Sequence, residues 1–194
     1  MEIKKMNFTY TDNITAVNQK QYEEHLKLYE GYVTKINQID EQLKLDPDTK
    51  NANATYSKYR CLKRGESFAL DGVILHELYF ENMGGIDLQP SQVAKDMIKD
   101  SFGSYEQWME DFIACGIASR GWAILAYDQR SRTLRNESLD AHDVGFISLS
   151  FPLLVMDVYE HAYFLQYGTN RKEYINQFMK NINWNIVNRR VDRI

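Results

Sequence analysis

Asp157 and His161 stand four residues apart in the segment Asp157-Val-Tyr-Glu160-His161-Ala-Tyr163, which follows the apolar run Phe146-Ile-Ser-Leu-Ser-Phe-Pro-Leu-Leu-Val-Met156. A carboxylate and an imidazole can bind a metal together or act as acid and base. The spacing delivers both groups where a buried strand gives way to a helix. An ionised carboxylate in such an apolar setting is costly unless a metal or hydrogen-bond donors offset its charge. The chain has only 4 histidines, so the placement of the other three is informative. His25 and His76 fall on the apolar faces of two helical patterns, and His142 sits in the segment Leu139-Asp-Ala-His-Asp143. A lone histidine on an apolar face is more often a core residue bonded to backbone than a ligand. These imidazoles form a site only if the fold assembles them with the carboxylate.

The elements that must do so can be read from periodicity. Tyr22, Leu26, Tyr29, Val33, Ile36 and Leu43 recur at helical spacing, with His25 on the same face. The polar, turn-rich stretch Asp46 to Thr55 predicts a loop or helix break. Ala69, Gly72, Val73, His76, Phe80 and Met83 share the face of a second helix, and the two helices can pair as a long antiparallel hairpin. Residues 84–91 predict a linker, with Ser91 as N-cap of a helix through Lys95 and Ile98. Tyr105 to Ile117 predicts another helix. Three strand-like runs follow, Trp122 to Tyr127, Thr133 to Leu139 and Gly145 to Met156, with a hairpin turn over 127–132 between the first two. Helices close the chain. The predicted class is α+β: an N-terminal α-helical hairpin domain over 1–85, then a C-terminal domain over 91–194 with a three-stranded antiparallel sheet flanked by helices.

At 194 residues and 44% hydrophobic composition, the chain can build one sizeable core or two small coupled domains. Its formal net charge of -4 gives no sign of the basic stripe that nucleic-acid binding favours. The polar start Met1-Glu-Ile-Lys-Lys-Met-Asn lacks the apolar core of a signal peptide. No apolar run approaches membrane-spanning length. Cys61 and Cys115 form no Cys-x-x-Cys pair, so they are expected to be buried or half-buried thiols in a reducing compartment. Cytoplasmic residence is the expectation.

The segment Asp157-Val-Tyr159-Glu160-His161-Ala-Tyr163 resembles Asp-x-Trp-Glu-His-Ala-Tyr, the signature of the iron/manganese superoxide dismutases, with Tyr159 in place of tryptophan. Phe164-Leu-Gln-Tyr, Asn170-Arg171-Lys-Glu-Tyr174-Ile and Asn181-Ile-Asn183-Trp184 resemble the C-terminal helices of that family, and Phe102-Gly-Ser104-Tyr and Gly121-Trp122-Ala resemble two upstream landmarks. The likeness is nearly continuous from about Phe102 to Trp184 and patchy before it.

The resemblance implies one Fe or Mn ion per subunit, held by His25, His76, Asp157 and His161. His76-Glu-Leu-Tyr79-Phe80 is similar to the second-helix ligand stretch, with Phe80 replacing tryptophan. In the family the first ligand lies eight residues before the tyrosine of a Tyr-Val pair. Here His25 precedes Tyr32 by seven, and an ungapped alignment puts Glu24 at that position. His25 is preferred because Glu24 lies off the apolar stripe; Glu24 remains the alternative. Tyr29 would then take the place of a second aromatic or histidine. In the family a glutamine bonds the metal-bound solvent. Iron-type members carry it four residues before the second-helix histidine. Manganese-type members have glycine there, as Gly72 is here, and carry the glutamine in the strand region, where this chain has His142. His142 is the candidate replacement. Tyr32 would be a gateway tyrosine, and Arg171 resembles an arginine near the substrate funnel. Glu160 and Tyr163 match residues that bridge to a partner subunit, implying a homodimer or dimer of dimers. Trp122, Tyr159 and Phe80 would wall the metal.

The implied activity is conversion of superoxide to dioxygen and hydrogen peroxide by redox cycling of the ion. An inactive relative with a structural or interaction role is the alternative. A zinc hydrolase ranks below both, because no group stands out as a dedicated general base.

Overall fold

The computed structural model describes residues 2–194. α1 (Gln19–Leu45) begins at Asn18, whose side chain accepts a hydrogen bond from the Gln21 amide, and buries one stripe comprising Gln21, Tyr22, His25, Tyr29, Val33 and Ile36. A short 3-10 turn, Thr49–Asn51, lies in the expected loop. α2 (Lys58–Glu81) starts at the Ser57 cap and buries Ala69, Gly72, Val73, Leu75, His76, Tyr79 and Phe80. α1 and α2 pack along each other as the predicted hairpin. His25 and His76 therefore lie on the two faces that meet.

Ser91 caps α3 (Gln92–Phe102) by accepting from the Ala94 amide, as its sequence position suggests. α4 (Tyr105–Ala118) follows. β1 (Trp122–Asp128), β2 (Thr133–Leu139) and β3 (Ser150–Asp157) form an antiparallel sheet in the order β2-β1-β3. β1 is central and almost wholly buried, as its run of Trp, Ala, Ile and Leu requires. Its first residue, Trp122, pairs with Leu139 on one side and Asp157 on the other. That register sets the indole beside the carboxylate. Pro152 lies on the edge strand β3, next to a register shift at Leu125/Ala126. A 3-10 turn (Glu160–Ala162), α5 (Phe164–Tyr167), α6 (Arg171–Lys180) and α7 (Trp184–Val191) complete the chain.

Two expectations need correction. The third strand starts at Ser150 rather than Gly145. Gly145 and Leu149 adopt φ values of 110° and 67°, a left-handed backbone that a pleated strand cannot accommodate, so Phe146, Ile147 and Leu149 face solvent. A Cβ on Gly145 would meet the Ser138 carbonyl oxygen at 2.6 Å. Cys115 is half-buried as expected, but Cys61 is exposed near the start of α2. Among the described residues no helix is long and apolar enough to cross a membrane.

Asn181 ties the ends of the hairpin to the C-terminal half. Its Oδ1 accepts from the amides of Thr15, Ala16 and Gly84, and its Nδ2 donates to the carbonyls of Asn13 and Gly85. The side chain is buried, as are Ala16 and Gly85, so water cannot readily replace the bonds to those two residues. Asn181→Ala leaves the buried Ala16 amide and Gly85 carbonyl without this partner, at about 1–3 kcal/mol each. A clear drop in the urea unfolding midpoint, at fixed protein and metal concentration, is expected; an unchanged midpoint would refute the tie.

Candidate metal centre

The pairing of β1 and β3 places Asp157 at the last position of β3, 0% exposed. Its Oδ1 accepts from the Tyr159 amide at 2.9 Å, and its carbonyl accepts from the Tyr174 hydroxyl at 2.7 Å. Oδ2 is left pointing at three imidazoles. Nε2 of His161 lies 3.0 Å away, Nε2 of His25 3.1 Å and Nε2 of His76 3.7 Å. One ligand atom from each of these four residues falls within 4.8 Å of the others. His161 is half-buried, and the other three are buried.

The hydrogen bonds fix what these nitrogens offer. His76 Nδ1 lies 2.5 Å from the Gly72 carbonyl oxygen. A carbonyl only accepts, so Nδ1 carries the hydrogen and Nε2 presents a lone pair. The Nε2 atoms of His25 and His76 are buried and lack an aligned hydrogen-bond partner. Burial lowers the pKa of both rings; for His76 the neighbouring His25 lowers it further. Both therefore stay neutral. Burial works against the Asp157 charge, yet the His161 and His25 imidazoles outweigh it and hold the carboxyl well below its usual range. The result is one carboxylate and orphaned imidazole lone pairs enclosed together. Bonds of about 2.1 Å to a common ion put neighbouring donors about 3.0–3.6 Å apart; the carboxylate lies 3.0 and 3.1 Å from two imidazoles, within that range, and 3.7 Å from the third, just beyond it. The nitrogen/oxygen donor set suits a divalent first-row metal.

Around this centre the predicted residues take distinct places. Trp122 meets the His76 ring edge-on at 5.0 Å, Phe80 lies 5.1 Å from His25, and Tyr159 stacks on His161 at 5.0 Å. Tyr32 sits 5.3 Å from His76. Tyr29 points elsewhere, receiving the Met6 amide and donating to Glu77. Arg171 binds the carbonyls of Ile117 and Ser119 and the Tyr163 hydroxyl, so its guanidinium rests on the end of α4. Glu160 is exposed beside His161, while Tyr163 is buried and stacks on Tyr174. Glu24 is exposed and pairs with Lys27, outside the cluster.

His142 is buried, not a surface-loop residue. Trp122 Nε1 donates to its Nδ1 at 3.0 Å, and its Nε2 lies 2.9 Å from the Tyr32 hydroxyl. An indole N–H can only donate, so Nδ1 of His142 accepts and Nε2 bears the hydrogen. Tyr32 Oη must then accept, leaving its own hydrogen free for another acceptor. Burial pushes the His142 pKa down to about 4, which agrees with a neutral ring between these partners.

Sequence reasoning missed Gln21. Its side chain is buried, donates to the His161 carbonyl at 2.6 Å and accepts from the Leu165 amide. It thus holds the turn that carries His161. The available signal was its position one helical turn before His25 on the same face.

The family model described as iron/manganese superoxide dismutases, C-terminal domain, matches residues 90–190. The chain is 42% identical over 185 residues to a superoxide dismutase (Fe) of Aquifex aeolicus, covering 93% of this chain and 87% of that protein. It is 41% identical over 186 residues to a superoxide dismutase (Fe) of Aquifex pyrophilus, with the same coverage. Identity to a superoxide dismutase (Mn) 1 of Halobacterium salinarum is 37% over 158 residues, covering 80% of this chain and 76% of that protein.

The first-helix alternatives separate cleanly by mutation. Glu24→Ala, which removes an exposed carboxylate, is expected to keep full metal content after reconstitution. His25→Ala removes one of the enclosed nitrogens and should lose most of it, as read by elemental analysis of the purified protein. The reverse pattern would return Glu24 to the site.

Proposed function

The chain belongs to the iron/manganese superoxide dismutase family, an oxidoreductase family that uses Fe or Mn, and from that premise we propose how its residues divide the work. His25, His76 and His161 contribute imidazole nitrogens and Asp157 one negative oxygen to a single ion per subunit. When bound, iron or manganese supplies the redox chemistry, taking an electron from one superoxide to give dioxygen and returning it to another, which leaves as hydrogen peroxide with two protons.

The protein's task is to hold the donors, exclude competing water and manage protons. Trp122, Phe80 and Tyr159 pack around the imidazoles and limit solvent access. Tyr32 is half-buried, and burial, followed by the Asp157 charge, raises its pKa. It therefore keeps its phenolic proton. Because His142 donates to its oxygen, Tyr32 can direct that proton toward the centre. Arg171 adds local positive charge for an anionic substrate in a net-negative chain. Glu160 and Tyr163 belong to the bridge with a second copy, the exposed Glu160 reaching the partner subunit's His161 and the buried Tyr163 backing the turn from within its own subunit, so the working form is a homodimer or a dimer of dimers. Residues 1–85 and 91–194 act as two domains that enclose the site between them, and the protein works in the cytoplasm.

The observation that carries this reading is the convergence of three imidazole nitrogens on one buried carboxylate oxygen. Metal-free protein should regain superoxide consumption on reconstitution with iron or manganese but not with zinc, which is redox-inert. Folded, metal-loaded protein without turnover would overturn it.

His142→Ala separates the ring of His142 from the ion-binding set. Metal content should stay at the wild-type level while turnover falls about 10–100-fold, the usual cost of losing a partner around a metal site. Wild-type turnover would make His142 a bystander.

A further inference from the structure

We propose that Asp143 is a positioning residue for the reaction, anchoring the turn that presents His142. The proposal rests on the role given to His142 above.

His142 and Asp143 occupy the middle of a tight turn. The Asp140 amide donates to the Val144 carbonyl at 3.0 Å, and Ala141 and Val144 form an isolated bridge. Beyond it the backbone enters the left-handed region at Gly145 and the exposed stretch Phe146–Leu149. The turn thus has few backbone bonds of its own, yet its imidazole must satisfy two directional contacts at once. Trp122 needs the Nδ1 lone pair and Tyr32 the Nε2 hydrogen. A small shift of the turn breaks both, because hydrogen bonds weaken steeply with distance and angle.

Asp143 supplies the outside anchor. Its side chain is 6% exposed, and its Oδ2 accepts from Ser67 Oγ at 3.2 Å and lies 3.3 Å from Arg64 Nη2. Both partners belong to α2, the helix that carries His76. Phe68, next to Ser67, packs its ring 4.5 Å from His142. Arg64, Phe68, Gly72 and His76 recur every four residues, one helical face running from the surface to the cluster. α2 therefore sets His76 directly and His142 through Asp143, so the two imidazoles keep a common frame. Asp71, half-buried on the same helix, also feels the Asp143 charge, which raises its pKa after burial does.

A double-mutant cycle tests the inference. Asp143→Ala should keep its metal and most of its thermal stability, and lose about tenfold in kcat/KM, the low end of the cost for groups that orient metal-site partners. In a His142→Ala background the same change should cost nothing further, because the two act as one unit. Asp143→Asn, which still accepts from Ser67, should recover most of the loss. Imidazole nitrogen NMR of the zinc-loaded protein gives a readout independent of turnover: His142 should show the single Nε2–H tautomer in wild type and tautomer averaging in Asp143→Ala. If Asp143→Ala does not fold, Ser67→Ala combined with Arg64→Ala removes the anchor from the other side and carries the same expectations. Full turnover in the anchor variants, or a loss of equal size with and without His142, would overturn the proposal. Wild-type turnover in His142→Ala alone would instead overturn the role of His142, and that arm is read separately.

Discussion

The charge of Asp157 is the constraint on which the centre depends. A carboxylate with no exposure cannot be left alone in an apolar interior, where the cost of desolvation exceeds what one or two neutral hydrogen bonds return. Here one oxygen is satisfied by the Tyr159 amide, and the other is surrounded by imidazoles rather than by lysine or arginine. The imidazoles keep the carboxyl ionised, but burial disfavours the charged forms of His25 and His76, so these two rings do not supply the full positive charge that would balance it. A metal cation does, and it satisfies the buried Nε2 atoms of His25 and His76 at the same time. The same deficit that makes the ion-free cluster unfavourable makes ion binding stabilising, since a ligand that binds only the folded state adds to its stability.

Holding the cluster requires two halves of the chain to meet in register. The sheet sets Asp157 beside Trp122 through strand pairing, whereas His25 and His76 arrive from the hairpin. Polar ties join them. Gln21 on α1 grips the turn bearing His161, Asn181 binds the segments flanking the hairpin, and Tyr174 reaches from α6 to the Asp157 carbonyl. Buried side chains bonded to backbone set position more tightly than apolar packing, because they are directional and costly to leave unmade.

Much of this was legible in the residues. Apolar spacing reveals α1 and α2 and places both helical histidines on the buried faces; Ser91 marks the start of α3; the Thr133–Leu139 strand has the predicted ends. The third strand was read too long because an apolar run carries no mark of backbone handedness, and Leu149 is not a residue that advertises a positive φ. His25 could not be separated from Glu24 by spacing against Tyr32, since both lie on the same turn. The apolar stripe favours His25, and the structure puts that stripe, with His25 on it, on the buried side of α1 while Glu24 is exposed. The Asp143 anchor was invisible for a related reason: its partners, Ser67 and Arg64, lie more than 70 residues away.

Gly72 shows how the positions around the centre depend on one another. A Cβ there would stand 3.1 Å from the Tyr32 ring and 3.4 Å from Cδ2 of His142. The first distance is too tight for an unshifted ring, and any longer side chain would compete with His142 for the same space. In a close-packed interior this volume cannot be filled twice. The bare backbone at Gly72 is therefore what admits His142 to the Tyr32 hydroxyl, and the Gly72 carbonyl separately orients His76. One residue without a side chain lets two imidazoles from opposite halves of the chain take their places, so a long side chain at position 72 and the His142 ring would compete for the same space beside Tyr32.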